Sequence, residues 1–377
     1  MAMTAQGRVS VTQMNRKRIF NLIFNKKKTS RQGIAYSLGL SLPTVNQHLD
    51  YLFKAKLIRE DGYLESQTVG RKAVAISINP EARIALGIDI TQNHISIVAV
   101  DMCGQVRATY HERYKFADQD ACYRHLIGQV NQLIEENGWP REIILGIGVS
   151  LPAIITNNGT IVEYGLLVDS PEDFLNVFAK YCDLPCRLYN DANAGGFSEI
   201  YSHRNIKRMI YLSLCHSIGG AIIEDNQIVP GDNWIGGEFG HMTLVPNGLM
   251  CHCGKHGCAN AYCSPDILAA HAGDDLQAFF RRLREKDPEC ERVFDAYLEY
   301  LAVLIHNIHT CFDCEVVIGG SLSQYADRYI DRLRKIVNDK DNFKKDSANY
   351  LRASFYPNNA SSIGAALFFM EEFIQSI

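Results

Sequence analysis

The chain has 377 residues, 47% of them apolar and 21% charged, with a net charge of -4. That is too long for one ordinary core, so a globular protein of two or three domains is expected. No apolar run reaches the roughly 18 residues of a membrane span and no apolar signal core opens the chain, so the expected compartment is the cytoplasm. In that reducing setting, the 12 cysteines point to metal ligands before disulfides.

The charge is unevenly placed. Residues 1–72 hold 13 Lys+Arg against 4 acids, a net of +9, whereas the rest holds 25 against 38, a net of -13. This asymmetry suggests a polyanion-binding module joined to a body that avoids polyanions.

In chain order, Met14, Ile19, Leu22 and Ile23 are spaced for one face of a first helix over Val11–Asn25, with Arg16, Lys17, Arg18 and Lys26 to Lys28 around them. Thr29 and Ser30 can cap a second helix carrying Ile34, Ala35 and Leu38, which Gly39 ends. Leu40 follows as a buried turn residue. Ser41 caps a third helix in which Val45, Leu49 and Leu52 face inward and Thr44, Asn46, Gln47 and His48 outward. Two helices joined by a short glycine turn, the second with a polar outer face, suit a DNA major groove. Leu57 to Arg59, an Asp61-Gly62 turn and the alternating Val74, Ile76 and Ile78 then read as a two-stranded wing carrying Gly70-Arg71-Lys72. The expected DNA contacts are Ser41, Thr44, Asn46, Gln47, His48, Arg71 and Lys72. Asn79-Pro80-Glu81 marks a boundary, with residues 1–82 as the DNA-binding domain and its linker.

Beyond it, two apolar runs over residues 85–100 surround Thr91-Gln92-Asn93-His94 as a β-hairpin. A strand near Val106–Tyr110, a helix near Asp120–Asn137 and a buried strand Ile143–Val149 follow, an α/β domain with a mixed sheet. A comparable order recurs at Arg208–Glu224 around Ser217-Ile218-Gly219-Gly220. Two similarly built lobes around a ligand cleft are therefore expected.

Cys251-His252-Cys253-Gly254-Lys255-His256-Gly257-Cys258 places three thiols within eight residues. Thiolates and imidazole in a tight loop are tetrahedral zinc ligands, structural when all four positions are protein. The fourth ligand comes from outside this knuckle, or is His252 or His256.

Three segments together resemble the ROK family (repressors, open reading frames, kinases). Gly236-Gly237-Glu238-Phe239-Gly240-His241 and the knuckle resemble its E-x-G-H and C-x-C-G-x-x-G-C signatures, and Asn190-Asp191-Ala192-Asn193 resembles its sugar-binding turn. The basic end, leading through Asn79-Pro80 into Leu86-Gly87-Ile88-Asp89, resembles the repressor branch that includes the N-acetylglucosamine and xylose repressors. The resemblance implies an α/β fold: a winged helix-turn-helix followed by a two-lobed actin-like/hexokinase-like (ROK) domain over residues 83–377. The small lobe would take about 83–190 plus 363–377 and the large lobe about 191–362. It implies His241, Cys251, Cys253 and Cys258 as ligands of one structural Zn²⁺, and Asn190, Asp191, Glu238, His241 and Asn260 as the sugar site.

The chain also departs from the family. In kinases Asp191 would be the base and two glycine-rich hairpins would hold ATP; here Asp89-Ile90-Thr91-Gln92-Asn93-His94 lacks both glycines of D-x-G-G-T-K. Leu214-Cys215-His216-Ser217-Ile218-Gly219 likewise lacks G-T-G-x-G. No catalytic residue is expected, Asp191 being at most a vestigial base. Asn260 stands where the family usually has Glu, so the ligand is expected to differ from an ordinary hexose or to carry an acyl, acidic or phosphate group. The expected function is a zinc-containing, sugar-responsive transcription regulator, a repressor, binding a double-stranded operator as a homodimer or homotetramer. The alternatives are an ATP-dependent sugar kinase with a fused DNA-binding domain, and a regulator controlled by a protein partner.

Overall fold

The computed structural model describes residues 11–65, 72–91, 93–117, 119–156, 162–165, 171–203 and 205–377. Helix α1 (Val11–Lys26) buries Ile19, Phe20 and Ile23. Met14 does not join them and is 52% exposed. At about 100° per residue it lies roughly 140° around the helix from Ile19, off the buried stripe. Helix α2 (Arg31–Leu38) starts where Ser30 accepts the Gly33 N–H, and ends at Gly39 with φ 64°. Helix α3 (Leu42–Lys54) starts at Ser41, whose side chain accepts the Thr44 N–H. These serines answer backbone donors that the first helical turn leaves unpaired.

Strands β1 (Ile58–Tyr63) and β2 (Val74–Ile78) pair antiparallel, Ile58 opposite Ile78. The expected Asp61-Gly62 turn is instead a bulge inside β1, where the register shifts between Glu60 and Tyr63. Gly62 takes φ 72° there, the left-handed conformation that such bulges use.

The connection at Asn79 is packed. Pro80–Ala82 forms a short 3₁₀ turn, the Pro80 carbonyl accepts the Met102 N–H at 3.0 Å, and Asn79 Nδ2 donates to the Lys56 carbonyl at 2.9 Å. Strands β3 (Ile84–Ile90), β4 (His94–Asp101) and β5 (Val106–Arg113) follow, then helix α4 (Asp120–Glu136) and β6 (Ile144–Leu151). A small antiparallel pair, β7 (Ala153–Ile155) and β8 (Val162–Gly165), precedes α5 (Pro171–Tyr181), β9 (Cys186–Asn190) and α6 (Asp191–Ser202). Next come β10 (Arg208–Leu214), β11 (Ile218–Glu224) and β12 (Gln227–Ile228), and after a long loop α7 (Asn260–Cys263), α8 (Pro265–Ala270), α9 (Leu276–Arg284) and α10 (Pro288–Phe312). The chain closes with β13 (Glu315–Gly319), α11 (Ile330–Lys340), β14 (Leu351–Ala353) and α12 (Ala360–Ser376).

Two five-stranded mixed sheets result, ordered β5-β4-β3-β6-β9 and β12-β11-β10-β13-β14. In each, an antiparallel hairpin is extended by parallel strands, so the repeated strand order in the sequence is a repeated sheet. Helices α6 and α12 pack on each other between the sheets, α6 against β10 and β11, α12 against β3, β4 and β6. Their apolar core runs on without a break into that of α1 to α3. Phe24 of α1 meets Tyr201 of α6 edge to face at 5.7 Å. No helix of the described residues is long and apolar enough to cross a membrane.

Candidate functional site

Strand β9 ends and α6 begins between Asn190 and Asp191. Asn190 is the helix cap: its Oδ1 accepts the Asn193 N–H at 2.9 Å and its Nδ2 donates to the Ala153 carbonyl at 3.0 Å. Capping is thus done by the neighbour of Asp191, which frees one Asp191 oxygen while the other accepts the Ala192 N–H at 2.8 Å. Asn190, Asp191, Glu238, His241 and Asn260 all line one cavity of about 280 Å³, which Ser217, Ile218 and Gly219 of the second hairpin also line. That volume is close to the lower end for small-molecule clefts, about 300 Å³. A groove of about 330 Å³ elsewhere mixes Lys345 with Asp313, Glu315 and Asp346 and holds none of the sequence-predicted residues.

The cleft concentrates carboxyl groups. Burial raises Asp191 to about 7, helped by the charges of Asp89 and Glu238. Asp89, at the end of β3, is raised by burial to about 6 while Ser150 Oγ donates to it at 2.8 Å. Burial also raises Glu238. Asp89 was legible only as part of a hairpin; its neighbour Asp191 lies far along the chain, on a strand–helix junction that only sheet pairing brings near. His252 and Ile235 line the same cavity and were not anticipated as ligand contacts.

Beside the cleft, one ligand atom each from His241, Cys251, Cys253 and Cys258 falls within 4.8 Å of the others, a group that can hold a metal ion. His241 ends a 3₁₀ turn begun by Phe239, its Nε2 4.0 Å from a Glu238 oxygen, and burial, then Lys255, lowers its pKa. His256, one open alternative, instead has Nδ1 2.9 Å from the Gly248 carbonyl. Every cysteine is a free thiol. The knuckle closes through Cys251 N–H to the Lys255 carbonyl and Gly257 N–H to the Leu249 carbonyl, each at 2.8 Å. Gly257 has φ 85°, and a Cβ there would sit 1.9 Å from the Val245 carbonyl oxygen. Gly257→Ala is therefore expected to cost more than 3 kcal/mol and to lower metal content, which urea unfolding and metal analysis would measure.

On the basic end, Asn46 and Gln47 are exposed and Thr44 partly so, Ser41 is the cap, and Lys72 is exposed. Gly70 and Arg71 lie outside the described residues. His48 corrects the expectation: it is 4% exposed and faces inward with Val45, Leu49 and Leu52. The spacing 45, 48, 49, 52 is one helical stripe, so His48 shares the buried face despite its polarity. Burial, then Arg16, lowers its pKa.

The family model described as "ROK family" matches residues 85–372. A xylose repressor of Caldicellulosiruptor bescii is 25% identical over 352 residues, 87% of this chain and 88% of the repressor. A xylose repressor of Bacillus spizizenii is 25% identical over 384 residues and 97% of both chains. Among solved structures, a ROK family transcriptional regulator, homologous to the E. coli MLC protein, superposes with a TM-score of 0.74 at 19% identity, covering 97% of both chains. With its two hairpin-built sheets, its carboxylate cleft and its Cys and His cluster all inside or beside the matched span, the chain belongs to the ROK family.

Proposed function

We propose that this chain is a sugar-responsive transcription repressor, with residues 1–82 as a winged helix-turn-helix reader of a pseudo-palindromic operator and residues 83–377 as the sensor, acting as a homodimer or homotetramer. The carrying observation is the convergence of Asn190, Asp191, Glu238, His241 and Asn260 on one small cavity. Short, fixed side chains of this kind suit sugar hydroxyls. The names of the two xylose repressors, similar along most of their length, support the same reading.

Asn46 and Gln47 supply amide groups that match adenine edges, and Lys72 a phosphate contact. On an operator selected from random duplex DNA, Asn46→Ala and Gln47→Ala are each expected to lower affinity about 5- to 150-fold. Lys72→Ala should weaken all sequences alike and reduce the salt slope by about one. Unchanged affinity in all three would refute the assignment of this face.

The donor set suits zinc. With Zn–S of about 2.3 Å a tetrahedral site has sulfurs about 3.8 Å apart, and Cys253 and Cys258 Sγ are 3.8 Å apart. His241, Cys251, Cys253 and Cys258 would hold the ion, which fixes the Glu238–His241 turn against the cleft.

ATP use is disfavoured by where the hairpin N–H groups go. Thr91 and His94 close the first hairpin, His94 N–H donating to Thr91 Oγ1 at 3.1 Å and Thr91 N–H to the His94 carbonyl at 3.0 Å; Gln92 lies outside the described residues. In the second, Ile218 N–H donates to Asn260 Oδ1 at 2.6 Å. Donors already engaged inside the protein do not cradle phosphate.

The route from sugar to DNA is α6. Asp191 at its start lines the cavity and Tyr201 near its end contacts Phe24 of α1. Between them Glu199 is fully buried and bonded to Arg352 and Ser354, which ties α6 to the edge of the second sheet. Tyr201→Ala is expected to leave sugar and operator affinities each within about threefold. It should reduce their coupling, normally about 1–3 kcal/mol, to near zero in paired titrations.

A further inference from the structure

Helix α3 opens on an apolar surface. Leu42, its first residue, is 44% exposed, and Pro43, its second, is exposed as well. The other apolar residues of α3 have cover. Val45, Leu49 and Leu52 are fully buried, Phe53 packs against their core, and Tyr51 lies under the Arg16 guanidinium, 3.5 Å from the ring centroid. At about 100° per residue, Leu42 stands one turn before Asn46 and Pro43 one turn before Gln47, all four on the face turned away from the buried stripe. Polar groups at this end are already engaged. The Ser41 and Thr44 hydroxyl oxygens lie 2.8 Å apart, the Thr44 N–H donates to Ser41 Oγ at 3.3 Å and the Val45 N–H to the Ser41 carbonyl at 3.0 Å. Pro43 has no N–H. The first turn therefore offers phosphate few donors, and what it presents outward is hydrocarbon. Asp50 is exposed on the same face two turns after Leu42 and would be repelled by phosphates if the helix lay flat along a groove, so α3 enters by its first turn, as recognition helices do.

Resting on the operator-binding reading above, we propose that Leu42 is a specificity-determining residue: its side chain packs on the C5-methyl group of a thymine in the operator major groove. That methyl is the apolar feature of the major-groove edges. Against Leu42, cytosine would leave an amino donor unpartnered, guanine two acceptors, and adenine one of each, and each such group loses water without gaining a partner. Leu42 thus selects thymine by exclusion as well as by contact. The net charge of +9 over residues 1–72 draws the same surface to a duplex but is blind to its sequence. Four helical residues rise about 6 Å and one base pair about 3.4 Å, which puts the thymine about two base pairs from the adenine matched by Asn46.

Uracil in place of thymine removes the methyl group and leaves the pairing edge and O4 intact, so it tests this contact alone. The full-length protein selects an operator from random duplex DNA, and each thymine of the half-site is then replaced by uracil, symmetrically in both halves. At one thymine, about two base pairs from an adenine to which Asn46→Ala becomes indifferent, uracil should lower affinity about 10- to 20-fold, from about fourfold for the methyl lost in each half. Leu42→Ala should lower affinity for the thymine operator to the same level and bind thymine and uracil operators alike, whereas Asn46→Ala should keep the uracil penalty. No uracil penalty at any thymine, or a penalty that persists in Leu42→Ala, would overturn the role of Leu42 and leave the operator reader standing. Leu42→Ala weakening both operators alike, with the penalty intact, would overturn it too and place Leu42 against a second copy of the chain or the sugar–phosphate backbone. A protein that selects no sequence would overturn both readings. Should Leu42→Ala melt lower than the unaltered protein, the uracil scan of the unaltered protein decides alone, by a penalty at the stated spacing or none.

Discussion

Stripping the metal with a strong chelator, or replacing Cys258 by serine, is expected to lower the melting temperature by about 10 °C and to remove the sugar response together with it. The size follows from what the cluster anchors. Thiolates from both ends of the knuckle and the His241 imidazole converge within 4.8 Å, and the loop between them has few apolar contacts of its own; Leu249 and Met250 are 59% and 69% exposed. Without an ion, burial pushes the Cys258 thiol up to about 11, whereas a divalent cation at the centre holds coordinating thiols ionised. Loss of the ion would release Glu238 and His241 together with Asn260, two residues after Cys258, all of which line the cleft. Metal analysis should return about one zinc per chain. A metal-free protein with an unchanged melting temperature and unchanged sugar binding contradicts the assignment.

Replacing Asp191 by asparagine is expected to act in opposite directions on stability and on function. A carboxyl whose folded-state pKa is raised from 3.8 to about 7 keeps its proton in the folded chain while the unfolded chain releases it. The folded state therefore binds more protons between about pH 4 and 7, stability falls as pH rises through that window, and above pH 7 the loss is complete. Asp89, raised to about 6, adds the same sign over a narrower range. Asp191→Asn removes the larger contribution, so at pH 8 the ligand-free variant should be more stable by about 1–3 kcal/mol, with a flatter pH dependence. At pH 8, where the Asp191 carboxyl is ionised, sugar affinity should fall at least tenfold, since a charged acceptor becomes an amide that also donates. Denaturant titrations from pH 5 to 8 and calorimetry measure the two effects, and a variant destabilised at pH 8 contradicts the buried-carboxyl account.

Local chemistry was legible where it is fixed by neighbours in the chain. Ser30, Ser41 and Gly39 mark helix ends because each answers a backbone group one turn away, and the spacing of Cys251, Cys253 and Cys258 reports one loop closing on one point. The identity of the fourth cluster member was not fixed by spacing. His252 and His256 are closer in sequence, and only the fold brings in His241. Errors came where residue type was weighed above position. His48 is polar but sits on the buried stripe of α3, Met14 is apolar but sits off that of α1, and Asp61-Gly62 has turn composition but serves a bulge. The helices between residues 265 and 340, which build the outer cover of the second sheet, went unread, and so did the pairing of Asp89 with Asp191. Both depend on contacts between distant segments, which periodicity does not encode. The packed junction at Pro80–Ala82 was equally hidden, since proline and polar residues read as a loose connection until Met102 N–H is seen donating to the Pro80 carbonyl and Asn79 Nδ2 to the Lys56 carbonyl.

The most direct measurement is operator affinity of the full-length protein, at fixed salt, with and without the sugar that binds the cleft. A repressor of the proposed kind loses operator affinity about 5- to 150-fold when the sugar is saturating, and Asp191→Asn retains operator binding without that response. Operator affinity that stays constant while the sugar is bound, or sugar-dependent ADP release that disappears in Asp191→Asn, would contradict it.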